Sequence, residues 1–161
     1  MAQVHFPDPG MGDKVTDICE HNFNCIYSNR ESSTNNWYVS QLSGSNSNDG
    51  TTWATAFLTI QKGVNAASDG DNVFIGAGIY DETVLVTTNE ISLIGVGNRD
   101  DVKICSTAAT GYGLYVRAAD VTIRNLGVAA PSSASYGTKI TGDRFRAIGC
   151  QFEMSDNLGN M

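Results

Sequence analysis

From residue 84 onward, apolar and polar side chains alternate in short runs, and each run is cut by glycine or by a polar corner. That is the period of a strand, whose successive side chains face opposite ways, broken by turns. The pattern also repeats. GLYVRAADVTIRNLGV (113–128) lies slot for slot over GTKITGDRFRAIGCQF (137–152), and TVLVTTNEISLIGVGN (83–98) lies over the first of these in the same way, after a longer interval. In this alignment Val84, Val86, Ile91, Leu93 and Val96 fall on Leu114, Val116, Val121, Ile123 and Leu126, and the last copy adds Ile140, Phe145, Cys150 and Phe152. The additional length of the longer repeat is expected in a loop around 106–111. One copy cannot bury its apolar side alone, so the predicted core forms by stacking. Val96, Leu126 and Cys150 make one interior column, and Ile91, Val121 and Phe145 make another.

The chain before the repeats reads differently. Residues 1–36 contain PDPG, few periodic apolar positions and a polar end, SNRESSTNN, which together predict an extended N-terminal arm. WYVS then reads as a short strand and GSNSNDG as a turn-rich loop. Phe57, Ile60, Val64 and Ala67 follow at the three-and-four spacing of an amphipathic helix, with Gly70 suited to the left-handed conformation beyond its end. No second helix is expected.

The stretch GSNSNDG-x-x-WATAF-x-TIQKGVNAASDGDNVFIGAGIY (44–80) resembles the N-terminal lead-in module of right-handed parallel β-helix proteins, the pectate-lyase-like superfamily that includes phage tailspikes. The resemblance runs from residue 37 to the last repeat. It implies an all-β fold, a short right-handed parallel β-helix solenoid over 37–161, with a capping α-helix and an N-terminal arm over 1–36. In that family the helix covers the open end of the first coil, where bare strand edges invite aggregation. Phe57, Ile60 and Val64 would form that cap.

Charge narrows the function. Ten basic against 17 acidic residues give a net charge of −7, a poor match to a phosphate backbone, so no nucleic-acid partner is expected. No apolar run approaches the length needed to span a bilayer, and the segment from Met1 to Cys25 lacks a basic-then-apolar leader. The expectation is folding in a cytoplasm, with no membrane partner. Four cysteines at irregular spacing, Cys19, Cys25, Cys105 and Cys150, do not form a disulfide framework.

Candidate chemistry is sparse. Glycan lyases and hydrolases need carboxylates projecting together from neighbouring coils. Glu90 and Asp120 are in register, but Arg144 takes that position in the next copy, which fits a solvated corner. Asp81 with Glu82, and Asp100 with Asp101, are sequence neighbours and would point to opposite faces of a strand. Asn46, Asn48 and Asp49 have calcium-binding chemistry and also turn-forming chemistry, the latter preferred. Cys19, His21 and Cys25, with His5, lack the paired spacing of a structural zinc site. Cys150 reads as a small buried residue with no histidine near to activate it. No catalytic residue, metal or cofactor is therefore assigned. Tyr112, Tyr115 and Tyr136 are expected to face outward, where a flat ring with a polar tip suits either a glycan or another subunit.

The resulting expectation is a non-catalytic phage virion protein (capsid decoration, fibre or tailspike module), folded in the host cytoplasm. It would dock on other virion proteins through residues 1–36, form a homotrimer as the resembling phage proteins do, and present its surface to a glycan. The alternatives are the N-terminal part of a polysaccharide lyase or hydrolase whose catalytic coils lie beyond residue 161, and a glycan-binding adhesin module.

Overall fold

A computed structural model describes residues 34–106, 111–129 and 137–153. The predictions for the arm, for Cys19, His21, Cys25 and His5, and for Tyr136 fall outside these residues.

The described chain is mostly β, with twelve short strands in three parallel sheets and one α-helix. The first sheet is built from β1 (Asn36–Val39), β2 (Asn72–Ile75), β5 (Ser92–Gly95), β8 (Thr122–Arg124) and β11 (Arg146–Ile148), in that order. The second contains β3 (Gly78–Tyr80), β6 (Val102–Cys105), β9 (Gly127–Ala129) and β12 (Gln151–Glu153). The third contains β4 (Val84–Val86), β7 (Leu114–Val116) and β10 (Thr138–Ile140). The chain visits the three sheets in the same order on each circuit, and every strand pairs in parallel with its counterpart one circuit away.

Parallel pairing in register turns the period-two pattern into columns. Val73, Leu93 and Ile123 stack in the first sheet, Tyr80, Ile104 and Val128 in the second, and Val86 with Val116 in the third. All belong to one continuous buried hydrophobic cluster, together with Val84, Leu114, Ile91, Val121 and Leu126. Four corners before first-sheet strands also stack: Gly70, Glu90, Asp120 and Arg144 have φ of 90°, 59°, 59° and 53°. Three non-glycine residues thus hold the left-handed conformation that Gly70 adopts without a Cβ penalty. The Glu90 and Asp120 N–H groups donate to Ala119 and Asp143 of the following circuit at 3.0 and 2.9 Å.

Two expectations about the core are corrected. Val96 is 42 % exposed. The segment 96–101 separates β5 from β6, whereas only 125–126 separates β8 from β9. The longer repeat therefore takes its additional length mainly at this corner and not around 106–111. The chain leaves the interior after Gly95, where a Cβ would lie 2.0 Å from the Asn125 carbonyl oxygen. Val102, paired next to the Lys103–Gly127 position, takes the interior place opposite Leu126. In the last circuit, Ile140 and Phe152 are 42 % and 45 % exposed, and Phe145 and Cys150 are only half-buried against the core. Their columns place them inward, but the described residues supply no further circuit above them.

The opposite end is closed. Helix α1 (Ile60–Ala66) buries Ile60 and Val64, and Phe57, just before it, bridges to Val39 in parallel fashion. Thr59 caps the helix by accepting from the Lys62 N–H, and the half-buried Glu82 carboxylate accepts from Ile60 and Gln61 N–H at 2.7 and 2.9 Å. Two glutamine side chains then act as missing strands. The Gln61 amide donates to the Leu85 carbonyl at 3.1 Å and accepts the Leu85 N–H at 2.7 Å, satisfying the outer edge of β4. Gln41 does the same for Ile79 on β3, donating at 2.6 Å and accepting at 3.2 Å. A carboxamide carries the donor and acceptor of a peptide group, so each edge sees a substitute for a neighbouring backbone. β1 itself covers the edge of β2.

Asp71 ties this end together from a position 1 % exposed. Its carboxylate accepts from Asn35 N–H at 2.8 Å, Ser68 N–H at 2.9 Å and the Trp37 indole at 3.0 Å. Burial pushes this carboxyl up, but the Ser68, Trp37 and Asn35 donors outweigh it and hold it below the ordinary value of 3.8. A depressed acid stabilises the fold fully above its unfolded value and loses that contribution as pH falls. Asp71→Asn is expected to cost about 2–3 kcal/mol at neutral pH, since an amide turns a donor toward donors. Denaturant titration is expected to show the gap from wild type narrowing as pH drops below 3.8. Gln61→Leu is expected to cost about 1–2 kcal/mol and to speed hydrogen exchange at the Leu85 amide, read by mass spectrometry or NMR.

Candidate functional site

The outer face of the third sheet gathers two aromatic and two cationic side chains. Leu85, Tyr115 and Lys139 share one row of the β4, β7 and β10 register. Each sits at the middle of its strand, flanked on β4 and β7 by buried residues, so strand alternation turns the middle side chain outward. Tyr112, in the segment leading into β7, tilts against Tyr115 with ring centroids 5.6 Å apart. The Lys139 Nζ lies over both rings, 5.2 Å from the Tyr112 centroid and 4.9 Å from that of Tyr115. The Arg117 guanidinium carbon lies 6.0 Å from the Tyr115 centroid. These are cation–π distances, in which the ammonium is held by the negative faces of the rings.

The ion pairs among the described residues are Arg99–Asp100, Lys103–Glu153 and Arg144–Asp120, and none uses Lys139 or Arg117. Among the described residues, two cations beside two tyrosines therefore stand without a neutralising carboxylate, on a chain of net charge −7. Such a face can stack a flat ring and hold a negative group beside it. The structure brings Tyr112 and Tyr115 together. Sequence reading overlooked Lys139 and Arg117, although the repeat alignment that pairs Tyr115 with Lys139 contained the signal.

The other candidates resolve into structural roles. Asp120 and Arg144 form a two-pronged pair on the stacked corners, with Nε and Nη2 donating at 2.6 and 2.5 Å. Glu82 serves the helix start, and burial pushes its carboxyl above the ordinary value against the Gln61 and Ile60 donors. Asp81 is exposed beside it. Asp100 and Asp101 lie in a 3₁₀ turn, Arg99–Asp101, whose start is capped by Asn98. Asn46 accepts from the Leu58 and Thr59 N–H groups, Asn48 donates to the Ala56 carbonyl, and Asp49 accepts from Thr51. All three thereby organise the 44–59 loop. The Cys150 thiol points to the Ile148 carbonyl, and burial pushes the Cys105 thiol up. Among the described residues no three His, Cys, Asp or Glu side chains gather in a way that would hold a metal ion. No helix among them is long and apolar enough to cross a membrane.

The chain matches no protein-family model and no curated protein. It is similar in structure to pectin methylesterase PemA from Erwinia chrysanthemi, with a TM-score of 0.51 and 14 % identity over 72 % of this chain and 48 % of that one. It is also similar to a GH136 lacto-N-biosidase from Eubacterium ramulus, with a TM-score of 0.52 and 13 % identity over 80 % of this chain and 29 % of that one. The chain thus spans about half the length of the first and under a third of the second. At these identities the likeness is one of fold.

Both neighbours are carbohydrate-active enzymes, and this corrects the expectation of a protein that is not an enzyme. The fold is one on which such enzymes are built, and neither neighbour is a phage protein. Asp120→Ala, which breaks the two-pronged pair with Arg144 and places alanine at φ 59°, is expected to cost about 1 kcal/mol of stability and to leave any glycan activity at the wild-type level. Melting curves and product assays on the variant check this.

Proposed function

We propose that the chain is the capped N-terminal part of a right-handed parallel β-helix enzyme acting on a glycan. In this reading its third sheet holds the carbohydrate, and the reaction is carried on coils following residue 161. The supporting observation is the convergence of Tyr112 and Tyr115 with Lys139 and Arg117 on one outward sheet face. The fold likeness to two carbohydrate-active enzymes adds to it. The closed N-terminal end fits the same reading: with strand edges satisfied there, the stack grows only from the other end. A glycan lying across β4, β7 and β10 meets one residue of the central row per circuit.

The test is calorimetric titration of the full chain with a panel of pectic and N-acetylhexosamine-containing oligosaccharides, with mass spectrometry of the mixtures for cleaved or de-esterified products. Binding by at least one class is expected, weakened roughly tenfold by Tyr115→Ala with the fold intact by circular dichroism. No binding across the panel, or binding indifferent to Tyr115→Ala, rules the reading out.

A further inference from the structure

We infer that Lys139 makes this face selective for carbohydrate bearing anionic groups, carboxylate or sulfate ester, over neutral carbohydrate. The inference rests on the glycan-holding reading of the same face and goes beyond it.

The argument begins with what occupies the ring faces. A sugar stacks on tyrosine by laying its C–H face over the ring, and Lys139 Nζ already sits over both rings, about equally far from each. A neutral sugar has to displace the ammonium and gives up two cation–π contacts to do so. An anionic sugar leaves the ammonium in place and adds a charge-assisted hydrogen bond to it. The tyrosine pair thus works less as a platform than as a cradle that holds a long, flexible side chain in one position. Arg117, on the same tyrosine, offers a planar fork suited to two oxygens of one carboxylate or sulfate. Neither cation is quenched by an acid among the described ion pairs. The chain as a whole repels anions, so the attraction is local and its strength falls as salt is added.

The experiment uses the full chain and three oligosaccharides of equal length: neutral, uronate-containing and sulfated. Their affinities are measured by calorimetry at low and high salt. The expected result is roughly tenfold tighter binding of at least one charged ligand than of the neutral one, shrinking with salt. Lys139→Met is expected to shrink that preference most of the way, leaving the smaller share that Arg117 supplies, and Lys139→Arg to restore it. Whichever charged ligand wins identifies the group recognised, and either supports the inference. Equal affinity for charged and neutral ligands overturns it while the glycan-holding reading stands. A preference as large in Lys139→Met as in wild type, with melting temperature unchanged, also overturns it. Failure of all three to bind removes both.

Discussion

Everything in this structure depends on in-register parallel pairing between successive circuits. A strand of three or four residues buries only one or two side chains, far too few to offset the entropy of ordering its backbone. Leu93 is desolvated because Val73 lies on one side of it and Ile123 on the other. Remove either neighbour and the column opens, as the exposure of Ile140 and Phe152 in the last described circuit shows. The same pairing that forms the core aligns the outward residues, so Leu85, Tyr115 and Lys139 meet for the reason that Val86 and Val116 do.

A repeated stack has two ends, and the first of them is closed at each of its three sheets. β1 completes the first sheet, while Gln41 and Gln61 complete the others with side-chain amides. The closure is polar where backbone needs partners and apolar where Ile60 and Val64 meet the core. Asp71 joins the two kinds of closure, because its three donors come from the approach to β1, from the Trp37 side chain and from the turn beyond α1.

Much of this was legible in the sequence. The alignment that sets Val84 on Leu114, and Leu114 on Thr138, is the register in which β4 pairs with β7 and β7 with β10. Period-two alternation distinguished outward Tyr115 from inward Leu114 and Val116. What escaped was corner length. An ungapped alignment laid Val96 on Leu126, because both follow a strand, yet the chain after Gly95 makes a long excursion and the chain after Asn125 turns inward at once. Glutamines that stand in for strands also have no sequence signature, since their partners are backbone groups far along the chain, Leu85 for Gln61 and Ile79 for Gln41. The cationic half of the tyrosine site was hidden because glycan cleavage points first to carboxylates, while the pattern that placed Lys139 was already present. Function was the least legible part: a resemblance to a lead-in module shared by several activities does not choose among them, and a bare corner pair such as Asp120 and Arg144 carried no chemistry that would.

The excursion at 96–101 bears on how such a protein is remodelled. Successive circuits differ in length, the one from Leu93 to Ile123 being longer than those from Val73 to Leu93 and from Ile123 to Ala147, yet the strands before and after each corner keep their partners. Length added at that corner is absorbed outside the core, so the scaffold and its loops vary on separate terms. A foreign segment grafted between β5 and β6 would be presented beside the first and second sheets with the tyrosine face left as it is.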